Sequence, residues 1–199
     1  MTKKLLTLFF LLPLFYLCGG NIPEIHYYLI DYPVTPTTGK SEPVHQITLG
    51  IERFNAAPLY EEERLVYRDS PYEGKYYHYH RWITSPEVMI TDKVTEQLAA
   101  SNLFQQVVPF PKFSQVDYIL HGTIKALEEW DEGNQWYARV QIAFELVDLK
   151  TRQIVWQRTI EEKNLVAQKI PAEIVKGINL GVQQCIEEAQ KELNAVFQK

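Results

Sequence analysis

The chain has 199 residues, of which 46% are hydrophobic and 23% are charged, and its formal net charge is −5. This length and this hydrophobic content are sufficient for one folded core, and they exclude a chain that is mainly disordered. Because nucleic-acid binding requires a positive surface, the negative charge and the absence of a basic cluster argue against a nucleic-acid partner.

The N-terminus predicts export. Lys3 and Lys4 precede an apolar run over residues 5–17, which is too short to span a bilayer comfortably but is typical of a secretory signal. Cys18 follows this run at the place where a bacterial lipoprotein signal has its lipid-accepting cysteine, although the three preceding residues are large rather than small. We predict a leader over residues 1–20 with lipidation at Cys18. Ordinary cleavage after Gly20 and an uncleaved anchor are the alternatives.

Residues 21–199 are expected to form a single domain. A short strand is predicted at 26–32, and the Pro- and Thr-rich residues 33–43 indicate a surface loop. Apolar residues alternate with polar or small ones around 47–51, which is the period of a half-buried strand.

A hairpin and a helix are predicted next. Residues 65–68 and 75–82 flank a five-residue connection at 70–74, as in a hairpin. Thr84 and Glu87 have capping-box spacing, and apolar residues then recur every four positions, so a helix is expected to run to about residue 101.

The second half of the chain contains the clearest pattern. Residues 117–130, 135–149 and 153–161 read as three antiparallel strands joined by short polar connections. Pro171 then opens a helix whose apolar residues keep helical spacing to the end. The predicted fold class is α+β, a mainly antiparallel sheet with a central helix and a long C-terminal helix packed on it.

The sequence offers little support for catalysis. His78 and His80 lie two apart on a predicted strand, but a third metal ligand is missing nearby, so ordinary surface or half-buried histidines are the simpler interpretation. The carboxylates of Glu128 and Glu129 are expected to be solvated. No nucleophile elbow, P-loop or dinucleotide fingerprint occurs, and we predict no catalytic residue, no metal and no cofactor.

One aromatic cluster stands out on the predicted hairpin. Its members are Tyr72, Tyr76, Tyr77, Tyr79 and Trp82. Tyrosine combines a large apolar area with a polar tip, which suits a protein interface or a lipid-facing groove. Cross-strand packing inside the sheet is the alternative.

Several segments together resemble the ABC-type transport auxiliary lipoproteins, which include the lipoprotein partners of MCE-domain lipid transport systems. The segments that carry the resemblance are Ile51-Glu52-Arg53-Phe54, Leu65-Val66-Tyr67-Arg68, Arg81-Trp82, Leu103-Phe104-Gln105-Gln106-Val107 and Asp117-Tyr118-Ile119-Leu120-His121-Gly122. They occur in order from about residue 28 to the C-terminus.

The resemblance implies a non-enzymatic protein on the periplasmic side of the envelope, anchored in the outer membrane by an N-terminal lipid. Its implied partners are an MCE-domain protein and the ABC permease and ATPase of the same system. A homo-oligomer is compatible with the sequence. The alternatives are a cell-wall or glycan-binding envelope lipoprotein and, with less support, an envelope hydrolase.

Overall fold

A computed structural model describes residues 23–36, 42–112 and 115–198. The predicted leader with Cys18, and the middle of the loop predicted at 33–43, lie outside these residues. Within the described part of the chain, no helix is both long enough and apolar enough to cross a membrane.

The described residues form nine strands, two α-helices and one short 3-10 helix. The strands are β1 (His26–Tyr28), β2 (His45–Glu52), β3 (Asn55–Ala56), β4 (Arg64–Ser70), β5 (Glu73–Trp82), β6 (Phe104–Phe110), β7 (Tyr118–Glu132), β8 (Gln135–Asp148) and β9 (Gln153–Val166). The helices are α1 (Pro86–Ala100) and α2 (Pro171–Val196), and the 3-10 helix is Pro58–Tyr60. Each of the three begins with proline, whose fixed φ and missing N–H suit a first helical turn.

All nine strands belong to one mixed sheet built around β7. One edge of β7 pairs antiparallel with β8, which pairs antiparallel with β9. The other edge pairs parallel with three strands in turn, β2 near the start of β7, β3 in the middle and β4 near its end. The sheet therefore has two wings on this side, one of β2 and β6 and one of β4, β5 and β1.

Both helices pack on the same sheet. Helix α2 lies on β8 and β9, and α1 lies on β2, β3 and β6. A Cβ atom added at Gly177 would lie 2.6 Å from Ala138 Cβ, and one added at Gly181 would lie 2.8 Å from Val140 Cγ2. These two glycines therefore let α2 approach β8 closely. The opposite face of β7 and β8 is called the open face below.

The predicted α+β class, the three-stranded meander and the C-terminal helix are confirmed. The sheet is mixed rather than mainly antiparallel in its strand order, because β7 receives three parallel neighbours from distant parts of the chain.

Three local predictions need correction. The connection between β4 and β5 has two residues, Pro71 and Tyr72, because the strands remain paired up to Ser70 and Glu73. The N-cap of α1 is Ser85, and it makes no side-chain capping hydrogen bond. The first strand covers only His26–Tyr28 of the predicted 26–32.

Candidate functional site

The hairpin of β4 and β5 ends in an exposed tyrosine. Tyr72 lies in the turn and its side chain is 96% exposed. Arg68 Nη2 donates a hydrogen bond of 2.6 Å to Pro71 O, and Tyr72 N donates one of 3.2 Å to Ser70 Oγ. Arg68 and Ser70 thus fix the turn, and the side chain of Tyr72 projects into solvent.

Two further tyrosines of the cluster lie on the same hairpin with part of their surface accessible. Tyr76 is half-buried beneath the guanidinium of Arg64, which lies 4.1 Å from the ring centroid, and its hydroxyl donates to Leu59 O at 3.2 Å. Tyr79 is 44% exposed. Both present an aromatic surface that a partner could reach.

The remaining two members of the cluster are used inside the domain. Trp82 is 1% exposed and belongs to the hydrophobic core. Tyr77 donates a hydrogen bond of 2.6 Å to Glu129 Oε2, and its ring contacts Tyr67 and His80. This placement corrects the expectation that all five aromatic residues form one contact surface. Tyr72, Tyr76 and Tyr79 remain as the predicted contacts.

Glu128 is fully buried on the open face of β7, where solvation had been expected. Arg139 Nη1 donates to its Oε1 at 3.0 Å, and Tyr60 OH donates to its Oε2 at 2.5 Å. Arg68 Nη1 lies 3.7 Å from the same Oε2. Two guanidinium groups and a phenol therefore compensate a carboxylate that has no access to water. They also tie β4 and β8 to β7.

Glu129 is also fully buried, but it points to the opposite face because successive strand residues alternate. Lys169 Nζ lies 3.4 Å from its Oε1 and also forms an ion pair with Asp131. Glu129 Oε1 and Asp131 Oδ1 are buried and accept no hydrogen bond from the described residues. Burial raises the pKa of Glu129, and the nearby carboxylate of Asp131 raises this pKa further. Burial likewise raises the pKa of the Tyr77 hydroxyl, which keeps it a donor.

The two glutamates are not arranged as a catalytic pair. A hydrolase of the two-carboxylate type needs both groups to face one cleft, whereas Glu128 and Glu129 project from opposite faces of β7. Each side chain is held by its own tyrosine hydroxyl. Their contacts join β7 to its neighbours, Glu128 to Tyr60, Arg68 and Arg139, and Glu129 to Tyr77 and Lys169.

The histidines noted in the sequence have different environments. His80 Nδ1 lies 3.0 Å from Tyr28 OH, and its ring stacks on His26 with the centroids 5.1 Å apart. Burial lowers the pKa of His80, and His26 lowers it further. His78 is exposed. Across the described ranges, no group of three or more His, Cys, Asp or Glu side chains is placed to hold a metal ion.

One signal in the sequence could have indicated the buried acids. Glu129 continues an alternation of small and apolar residues along β7 that face α2, two positions after Leu127. A charged residue at an inward position of a long strand indicates a buried, paired group. The partners Tyr60 and Lys169 are distant in sequence and gave no such signal.

The sequence profile of the family described as ABC-type transport auxiliary lipoprotein component matches residues 27–189. No curated protein matches the chain.

Among solved structures, protein XCC0632 from Xanthomonas campestris, described as a DUF330 family protein, has a similar fold. The TM-score is 0.76 at 20% identity, covering 86% of this chain and 96% of that chain. A structure titled only as an uncharacterized protein gives a TM-score of 0.70 at 14% identity, covering 86% and 99%. These identities are low, so the structures establish the fold alone. Because the profile spans most of the folded domain, the chain belongs to the ABC-type transport auxiliary lipoprotein family.

Proposed function

We propose that this protein is a non-enzymatic auxiliary component of an ABC transport system of the MCE type, which carries (phospho)lipid between envelope membranes. Family membership supports an ABC transport system as the context and the cell envelope as the location, and the family is not a known enzyme family. The proposal adds the cargo, the MCE-domain partner and the mode of action, which is docking.

The exposed tip of the β4–β5 hairpin is the observation that carries this proposal. Tyr72 is held in solvent by a turn that Arg68 fixes, while Arg68 also lies beside the buried Glu128. Tyr76 adds an accessible aromatic surface below the tip. A rigid aromatic side chain on a braced strand pair loses little conformational entropy when it binds, as an interface anchor requires.

The described chain that follows the proposed anchor enters the sheet in the same wing. β1 pairs with β5 so that His26 is opposite His80, seven residues from the tip residue Glu73. At about 3.3 Å per strand residue, this separation is about 23 Å. Lipidation at Cys18 would hold the domain at the outer membrane, on the periplasmic side. Tethering raises the effective concentration of the tip near a partner, so a weak contact suffices.

Affinity purification of the tagged full chain from its own membranes tests this function. We expect an MCE-domain protein, the permease and the ATPase to co-purify. Tyr72→Ala should reduce their recovery about tenfold, as truncation of an aromatic interface anchor does. Leu165→Ala is the matched control, since Leu165 is 63% exposed but lies on β9. Equal recovery with both variants would remove the hairpin tip as the docking element, and recovery of none of the three proteins would contradict the function.

A second candidate function, glycan binding, is favoured by a polar cleft between the two helices. The cleft has a volume of about 260 Å³ and is lined by polar side chains that include Gln97, Gln183, Glu187 and Gln190. Amide and carboxylate groups of this kind suit sugar hydroxyls. Binding of isolated cell-wall glycans by the purified chain, without its partners, would favour this candidate over docking. We also propose that the protein can form a homo-oligomer. Analytical ultracentrifugation of the purified chain measures its oligomeric state.

A further inference from the structure

A stripe of exposed apolar side chains runs along the edge of the sheet at β1. Ile25, Tyr27 and Leu29 alternate along the chain and are 41%, 55% and 57% exposed, whereas Ile30 is buried. Tyr27 is opposite Arg81 on β5. Tyr79 and Ile83, two residues to either side of Arg81, are 44% and 51% exposed, and Ile83 N donates a hydrogen bond of 2.9 Å to Tyr28 O.

These five residues, Ile25, Tyr27, Leu29, Tyr79 and Ile83, are called the edge stripe. Apolar side chains exposed singly are ordinary on a protein surface, but five that lie on or directly beside the two paired strands β1 and β5 indicate an interaction surface. Tyr79 belongs to this surface at the base of the hairpin, whereas Tyr72 lies at its tip.

Arg81 lies in the middle of the edge stripe. Its Nε is buried without a hydrogen-bond acceptor, and it forms no ion pair with any of the described residues. The arginine directly opposite it on β4, Arg64, is by contrast paired with Glu62. An arginine surrounded by apolar side chains and lacking an acidic partner suits a ligand that offers phosphate oxygens beside hydrocarbon.

The sequence places this stripe next to the predicted anchor. Ile25 is seven residues after Cys18, and a fully extended chain of this length spans about 24 Å. A domain of this size is about 40 Å across. A tether shorter than the domain keeps the surface where it enters within about 24 Å of the membrane, close enough for that surface to reach the lipid.

We infer that the edge stripe rests on the phospholipid surface, with its apolar side chains at the headgroup boundary and Arg81 at the phosphates. This inference rests on the membrane tether in the proposed function. Tyrosine, leucine and isoleucine are residues that an interfacial surface uses, and arginine extends its head group to the phosphate level. The negative net charge of the chain makes free adhesion to anionic lipid weak, so the tether and the stripe act together.

Lipid contact can be measured with the full chain reconstituted in phosphatidylethanolamine and phosphatidylglycerol vesicles. Tyr27→Trp places a fluorescent probe in the edge stripe, and Tyr72→Trp is the matched control at the exposed hairpin tip. Leu29→Trp is a second stripe probe in case the first perturbs folding. The native chain already contains four tryptophans, so its fluorescence is subtracted from that of each variant. The remaining tryptophan emission is then compared in vesicles with and without lipids brominated on their acyl chains.

We expect brominated lipid to reduce the added emission of Tyr27→Trp and Leu29→Trp by about twofold, because interfacial side chains insert about 5–10 Å into the boundary region. The added emission of Tyr72→Trp should not change. If the chain floats with the vesicles but brominated lipid does not quench the stripe tryptophans, the inference is overturned while the tether stands. Shielding of the stripe probes from acrylamide without quenching by brominated lipid would assign the stripe to a second protein copy, which also overturns it. Failure of the chain to float with vesicles would overturn both the tether and the stripe.

Discussion

The surroundings of Glu128 and Glu129 differ sharply although the two residues are adjacent and equally buried. On the open face, Glu128 faces the guanidinium groups of Arg139 and Arg68. On the helix face, Glu129 has a single cation, Lys169, which it shares with Asp131.

The difference shows how one strand supports two kinds of buried acid. Where two guanidinium groups face one buried carboxylate, the buried charge is paired and holds neighbouring strands together. Where two carboxylates share one cation, burial raises the pKa of Glu129 and favours its protonated form. Both sites hold the hairpin wing to β7, and the raised pKa of Glu129 makes the stability of the helix-face site dependent on pH.

Removing the charge of Glu128 should have the largest effect. Glu128→Gln leaves Arg139 and Arg68 without their buried partner, and we expect the free energy of unfolding to fall by about 3 kcal/mol. Glu161→Gln is the matched control, because Glu161 also pairs with Arg139 but its side chain is 39% exposed. The control should cost about 0.5 kcal/mol. Urea unfolding at pH 7 measures both, and similar losses would contradict the assignment of Glu128 as the dominant site.

The two tyrosine hydroxyls give the next largest effects. Tyr60→Phe removes a donor from Glu128 and should cost about 2 kcal/mol. Tyr77→Phe removes one from Glu129, whose raised pKa favours the neutral carboxyl, and should cost about 1 kcal/mol. Tyr137→Phe is the control, since its hydroxyl bonds only to exposed Gln135. Thermal and urea unfolding of the three variants should place them in this order; the reverse order for Tyr60 and Tyr77 would refute the contrast between the two sites.

Unfolding measured over a range of pH tests the raised pKa of Glu129. Because the pKa of Glu129 is raised in the folded state, its contribution to stability is present below its ordinary value of 4.5 and is lost as the pH rises through the raised pKa. Glu129→Gln removes this titration, so the variant should gain stability relative to the native chain as the pH increases from 4.5 to 8.

Glu161→Gln provides the opposite control for this series. The bond with Arg139 lowers the pKa of Glu161, so its contribution is lost only as the pH falls through that lowered pKa. Its difference from the native chain should therefore stay constant between pH 4.5 and pH 8. A constant difference for Glu129→Gln over the same range would show that Glu129 is ionised throughout.

The sequence predicted the parts of the fold that have a local period. β8 alternates buried and accessible residues without interruption, and α2 keeps an apolar stripe over its whole length, so both could be located from the pattern alone. The parallel pairing of β2, β3 and β4 with β7 could not, because it depends on crossovers between distant segments that leave no periodic trace.

The candidate site was predicted only in part for a related reason. Composition located the aromatic hairpin, but composition does not say which side chains face inward, and Trp82 lies in the core while Tyr72 lies in solvent. The turn has two residues instead of five, Pro71 and Tyr72, because β4 and β5 stay paired up to Ser70 and Glu73. The buried acids were missed because charged side chains are normally exposed, and the groups that bury Glu128 come from the 3-10 helix, β4 and β8.

The smallest expected effect is at the hairpin tip, where Tyr72 is exposed, in contrast to the buried Glu128 and Glu129 on β7. Tyr72→Ala removes a side chain that is 96% exposed, and only its backbone N–H is bonded within the turn, so the free energy of unfolding should change by less than about 0.5 kcal/mol. Urea unfolding beside Tyr76→Ala, which loses the contact with Arg64, measures this. An unchanged stability means that any loss of partner binding by Tyr72→Ala arises at the interface itself, whereas a loss comparable to that of Tyr60→Phe would place Tyr72 among the residues that hold the wing together.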